Sequence, residues 1–166
     1  MWNLSTGTIK GLLGKDAPYG SLAELLENGV IEIYSGSRPA NADTTEVGSG
    51  TLLCTLTLNG DTFVAGAPEN GINMGTFDGN TLKRAIDAVE DPDLEIWKGT
   101  GVADGTAGWC RWYANAKATG ASSTAVRMDG SIATSGGDLN MLNGTTVVTG
   151  IDSEVSDVSF DMTSTN

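Results

Sequence analysis

Few residues in this chain could do chemistry, and their spacing does not suit it. There is no histidine. That removes imidazole bases, histidine-dependent triads and histidine-ligated zinc together. The densest acidic group is Asp87, Glu90, Asp91, Asp93 and Glu95. Oxygen ligands gathered in a loop can hold a hard cation such as Ca²⁺, but these residues lack the EF-hand spacing with its glycine at the sixth position. A solvated acidic face is the first reading of them, and sequence leaves cation binding at 87–95 open. Paired carboxylates for glycoside hydrolysis need a separation that sequence does not carry. Gly14-Lys15 is followed by Asp16, and Ile9 stands where a phosphate-binding loop needs its first glycine. Gly99-Thr100-Gly101 has neither the third glycine nor the βαβ context of a dinucleotide fingerprint. Cys54 and Cys110 are too few for a disulfide scaffold and read as reduced core thiols. No catalytic, cofactor-binding or metal-binding residue is assigned, and the expectation is a protein that is not an enzyme and carries no cofactor.

Trp97, Trp109, Trp112 and Tyr113 form an aromatic concentration, suited to core packing, an interface anchor or a sugar platform. Alternation along Gly108–Tyr113 sends Trp109, Arg111 and Tyr113 one way and Cys110 and Trp112 the other. One set must then be less buried, or covered by a partner.

The elements that would position these residues are strands. Seven Asn-Gly or Asp-Gly dipeptides punctuate the chain: 28–29, 59–60, 70–71, 78–79, 104–105, 129–130 and 143–144. Both residue types tolerate the positive φ of tight hairpin turns. Between them lie segments of period two. Ile31 and Ile33 share a face, as do Leu52, Cys54, Leu56 and Leu58, and residues 156–162 alternate almost perfectly. Residues 94–98, 108–114, 125–132, 138–142 and 145–148 are weaker strands. The fold class is all-β: about eight short strands with one or two short helices, as a β-sandwich or jelly-roll-like domain or a barrel. Ser21 and Glu24 have capping-box spacing before a short helix ended by Gly29. The periodicity of Thr81–Val89 predicts a second helix. The expected organisation is an N-terminal arm or edge strand over 1–20, one domain over 21–162 and a loose tail over 163–166. Ser35–Gly50 is a long polar loop of the kind that often carries contacts.

Composition limits the partners. The chain has 166 residues, 9 Lys or Arg against 21 Asp or Glu, and a net charge of −12. Such a surface repels phosphate, so nucleic acid is not an expected partner. No apolar run approaches the roughly 20 residues of a membrane span, and Met1–Thr6 lacks the pattern of a signal peptide. Leu, Ile, Val and Phe total 35 residues, a thin core for this length.

Three blocks then carry a resemblance. They are Ile31–Asp43 (IEIYSGSRPANAD) leading into Gly50–Leu56 (GTLLCTL), Gly105–Arg111 (GTAGWCR), and Asp129–Asn140 (DGSIATSGGDLN). In this order they resemble a family of small virion proteins of tailed bacteriophages. The resemblance implies a structural component of the particle, with a capsid cement (decoration) protein first and a neck, tail or head–tail junction component as the alternative. A carbohydrate- or receptor-binding β-sandwich is a second alternative, and it requires exposed tryptophans. The implied partners are the major capsid protein or other virion proteins and further copies of the chain, with a trimer favoured. The implied location is the virion, and the host cytoplasm during assembly. The contact candidates are Trp2, Leu4, Arg38, Pro39, Trp109, Arg111 and Tyr113, with Trp2 and Leu4 anchoring an arm in a neighbour's groove. The alternative for Met1–Lys10 is an edge strand of its own domain.

Overall fold

The computed structural model describes residues 1–14, 18–46, 50–78, 81–84 and 95–160. In chain order the elements are β1 (Asn3–Leu4), α1 (Thr6–Leu12), α2 (Leu22–Leu25), β2 (Val30–Ser35), β3 (Leu52–Leu58), β4 (Met74–Asp78) and β5 (Thr81–Arg84). There follow β6 (Trp97–Thr100), β7 (Gly105–Tyr113), β8 (Arg127–Ala133), β9 (Leu139–Met141), β10 (Thr146–Val147) and β11 (Asp152–Ser159). The chain is all-β with two short helices.

The sheet closes on itself. Pairing runs β8–β7–β2–β3–β6–β11–β9 and returns from β9 to β8, a barrel of seven strands. Every contact in the ring is antiparallel except the last, where Ile132 and Ala133 lie parallel to Leu139 and Asn140. Closure leaves no exposed edge within the ring. β1 extends the sheet beside β8, β10 lies on the first residues of β7, and the β4–β5 hairpin joins β11.

The interior follows from the pleat. Ile31 pairs with Leu56 and Trp112, and Ile33 with Cys54 and Cys110, so alternate residues of three neighbouring strands share the inner face. Trp97 packs edge-on against Trp112 at 5.2 Å. Met128, Leu139 and Val155 are buried in the same core. These side chains fill the barrel.

Two expectations change here. Thr81–Arg84, the start of the second expected helix, is strand β5, with Leu82 paired to Val158. Short apolar runs fit both periods, and pairing to β11 decides this one; residues 85–89 lie outside the described residues. Asp129-Gly130, read as a turn, lies inside β8 opposite Arg111 and Cys110. Other turn marks hold: Asn28, Asn59 and Asn70 adopt φ of 50°, 53° and 61°. The capping box at Ser21 and Glu24 is formed.

The N-terminal segment belongs to its own domain. Trp2 is buried, stacks on Phe160 at 5.6 Å and donates Nε1–H to the Ser159 carbonyl at 2.9 Å. It lies flat over Gly130, where a Cβ would come 2.7 Å from the indole ring. After β1, Ser5 caps α1 by accepting from Thr8 N at 3.1 Å. Ser5 Oγ donates to the Ala125 carbonyl and Thr8 Oγ1 to the Arg127 carbonyl, so side chains replace a strand partner at the start of β8. No helix is expected from TGTIKGL, because each interior glycine costs about 1 kcal/mol of helix propensity. Gly7 instead lets α1 sit on the backbone, since a Cβ there would meet the Thr124 carbonyl at 2.4 Å. Among the described residues no helix is long and apolar enough to cross a membrane.

Candidate functional site

The most unusual chemistry lies on the outer wall of β2, β7 and β8. Glu32 pairs in register with Arg111, and Arg111 with Asp129; Tyr34 pairs with Trp109, and Tyr113 with Arg127. The period of two therefore puts three charges and a further arginine on one patch of sheet facing away from the core. All are buried: Arg111, Arg127 and Asp129 are 0 % exposed and Glu32 is 4 % exposed. Buried charges at this density persist only when paired and hydrogen-bonded.

The cover comes from the same chain. Arg111 forms a two-pronged bond to Asp129, with Nε to Oδ1 at 2.6 Å and Nη2 to Oδ2 at 2.8 Å. Its remaining nitrogen, Nη1, donates outward to the Thr44 carbonyl at 2.9 Å and to Glu46 Oε2 at 3.2 Å. Arg127 spends its guanidinium on backbone: Nε donates to the Ala42 carbonyl at 2.7 Å, Nη1 to Ala118 at 2.9 Å and Nη2 to Asp43 at 3.1 Å. Glu46 accepts from Gly120 N, and Asp43 accepts from Thr6 N at the start of α1. The polar loop is thus strapped over the wall and tied to α1 and to the 114–126 segment. Lys117 closes the other side, with Nζ 2.7 Å from Glu32 Oε1, while Tyr34 Oη donates to Oε2 of the same carboxylate.

Electrostatics matches this geometry. Burial, with the Glu32 carboxylate alongside, pushes the Tyr34 hydroxyl far above its ordinary range, so it stays a donor. Burial also works against charge on Arg111, but Asp129 outweighs it and raises the guanidinium further. Arg127 is lowered by burial and then by the neighbouring Arg111 charge. The Arg111 guanidinium lies 5.6 Å over the Trp109 ring, which stacks on Tyr34 at 4.5 Å. The charged groups here face each other and the strap, whereas the Tyr113 hydroxyl on the same wall is buried without a hydrogen-bond partner.

The seven contact candidates distribute unevenly. Trp109, Arg111 and Tyr113 are 0 % exposed and sit under the strap. That corrects the expectation that one face of β7 is open or partner-covered: residues 42–46 and 114–126 cover it. Trp2 and Leu4 pack on the chain's own core, so the arm that would seat them in a neighbour's groove does not extend. Arg38 is half-buried; Nη1 donates to the carbonyls of Met1 at 2.9 Å and Asp129 at 3.2 Å. Pro39 is half-buried beside it. Sequence reading passed over Glu32, Glu46, Arg127 and Asp129. The available signal was a charged residue centred in an apolar alternation, as Glu32 is in Val30–Tyr34.

The remaining chemistry is closed off. Cys54 and Cys110 both flank Ile33, one strand to each side, hence about 9–10 Å apart. A disulfide needs Cα atoms within about 7 Å. Both thiols are free and buried, and burial pushes Cys54 up to about 12 and Cys110 beyond it. Of the acidic group, Glu95 is buried and accepts from Asn73 N at 2.9 Å and Trp97 Nε1 at 2.8 Å. Asp87, Glu90, Asp91 and Asp93 lie outside the described residues. No group of three metal-ligating side chains occurs among the described residues. Two surface grooves of about 290 Å³ are lined chiefly by alanines in one case and threonines in the other.

Comparison with family models, curated proteins and solved structures finds no match to this chain.

Proposed function

We propose that this chain is a structural subunit of a tailed-bacteriophage particle that stabilises its surroundings by contact, with a cement protein on the capsid shell as the first placement. One observation carries the reading: the buried charges of the outer wall are spent on holding the chain's own loops against a filled barrel. Such an arrangement fixes shape. The two sealed thiols suit assembly in reducing cytoplasm. The resemblance of the three blocks to small virion proteins supplies the particle. The partners are the major capsid protein or other virion proteins and copies of the chain itself, with a trimer favoured.

The carbohydrate-binding alternative loses its platform. Trp2, Trp97, Trp109 and Trp112 are all buried, so none is available to stack on a sugar.

Re-addition tests the proposal. Particles assembled without this chain are incubated with the purified protein, and occupancy and the temperature of genome release are measured. Saturable binding with a raised release temperature is expected. Absence of binding to any part of the particle would refute the structural role.

A further inference from the structure

Four asparagines stand directly before glycine: Asn28, Asn59, Asn70 and Asn143. This pair of residues is chemically labile. The backbone nitrogen of the glycine loses its proton to hydroxide and attacks the asparagine Cγ, and the side-chain nitrogen leaves as ammonia. Water then opens the cyclic imide at either carbonyl. The product is aspartate, or isoaspartate, in which the main chain runs through the side-chain carboxyl. The net step turns an amide and water into a carboxylate and ammonium, so no oxidant or cofactor is needed. Glycine favours it because no Cβ shields the attacking nitrogen.

The folded chain treats the four pairs differently. Asn28, Asn59 and Asn70 hold the left-handed turn conformation, with φ of 50°, 53° and 61°. Each is also tied on both sides. Asn28 N donates to Asn73 Oδ1 at 2.8 Å, and its carbonyl accepts from Asn115 Nδ2 at 2.7 Å. The nitrogen that would attack, Gly29 N, is bound to the Leu26 and Ile72 carbonyls at 3.0 and 3.2 Å. The Asn59-Gly60 peptide is bracketed by bonds from Asn59 N to the Ile96 carbonyl at 2.8 Å and from Asp61 N to the Leu58 carbonyl at 3.0 Å. The leaving nitrogen of Asn70 donates to the Thr62 carbonyl at 2.9 Å, and the Asn70 carbonyl accepts from Leu58 N at 3.1 Å. Gly71 is packed so closely that a Cβ would come 2.3 Å from the Asn28 carbonyl oxygen.

Asn143-Gly144 carries none of these ties. It lies in the link from β9 to β10, Asn143 is exposed, and its φ is not left-handed. Among the described residues neither Asn143 nor Gly144 makes a hydrogen bond. A Cβ on Gly144 would meet nothing within 4 Å. The other three pairs must open locally before the ring can close, and each bond broken lowers the population of the reactive form.

We infer that Asn143 is a self-modification site, converted to aspartate and isoaspartate through attack by Gly144 N while the protein stays folded. The other three Asn-Gly pairs are protected by the fold. Asn143 lines a groove of about 100 Å³ together with Asp152 and Glu154, so the new carboxylate appears beside two others. The chain thus carries a mark of its age at one position. This inference stands on the turn geometry alone and is independent of the particle role proposed above.

Peptide mapping by mass spectrometry tests it. The purified chain is held in mildly alkaline buffer, one sample folded and one unfolded in urea, and conversion at each asparagine is followed with time. In the folded sample Asn143 is expected to convert at least about tenfold faster than Asn28, Asn59 or Asn70. In urea the four rates are expected to draw together. Asn143→Gln should remove the early acidic species on anion exchange and leave the other three sites unchanged, and Asn143→Asp supplies the elution standard for that species. No conversion at Asn143 in the folded chain would overturn the inference. So would conversion of any of the other three at a similar rate, or a spread among the four that persists in urea.

Discussion

Replacing Asp129 with asparagine keeps the side chain's shape and removes its charge. Asp129 accepts two bonds from Arg111, at 2.6 and 2.8 Å, and both residues are fully buried. In the variant one acceptor becomes an NH₂ group facing a guanidinium N–H, and Arg111 keeps one bond to the remaining amide oxygen besides Thr44 and Glu46 on its outer nitrogen. Breaking a buried pair in this way costs about 3–5 kcal/mol, a large share of a typical 5–15 kcal/mol total. At about 2–4 °C per kcal/mol for chains of this length, the melting temperature should fall by roughly 6–20 °C. Urea unfolding followed by tryptophan fluorescence gives the free energy directly. Arg111→Met/Asp129→Leu, which removes both charges, should regain much of the loss, since an apolar pair avoids stranding a buried charge. It should still fall short of the wild type, because the ties to Thr44 and Glu46 are gone. A cost below about 1 kcal/mol for Asp129→Asn, or a double variant as unstable as the two single losses added, would refute the coupling of this network.

Trp2→Ala should destabilise the free subunit by about 3–5 kcal/mol in a melting experiment, because Trp2 fills the chain's own core; an unchanged midpoint would return Trp2 to an interface role. Ellman's reagent at pH 8 should find no reactive thiol in the native protein and two after unfolding, since burial holds Cys54 and Cys110 protonated. Gly7→Ala should cost about 1–3 kcal/mol by forcing α1 off the Thr124 carbonyl, whereas Leu13→Ala should stay within about 0.5 kcal/mol; denaturant curves compare the two. Acid should destabilise the protein in part through Asp138. Burial alone would raise this carboxyl, but the Met1 ammonium at 2.6 Å and the Ser131 donors outweigh it and hold it below the usual range. A folded value below the unfolded one contributes stability that is full above about pH 4 and is lost as pH falls through the folded value. Stability of Asp138→Asn, followed by denaturant curves from pH 6 to pH 2, should show a shallower acid limb than the wild type.

The fold class was legible because period two survives in Ile31/Ile33 and Leu52–Leu58 whatever the chain folds against. The asparagine turns were legible for the same local reason. Closure into a barrel was not, since it depends on β9 meeting β8 in parallel, a pairing no local pattern encodes. The helix α1 escaped because its glycines suit a close approach to Thr124 and Ala125, distant in sequence. The outer-wall network shows the limit most plainly. Alternation placed Trp109, Arg111 and Tyr113 together and demanded a cover. That the cover is residues 42–46 and 114–126 follows from Arg127 and Arg111 finding backbone carbonyls, a long-range fit that sequence spacing does not express.

The central claim is that this protein works as a built-in part of a phage particle. Quantitative mass spectrometry of particles purified to constant infectivity tests it most directly. The expected result is a fixed copy number per particle that is unchanged by further purification. Complete absence of the chain from such particles would contradict the account.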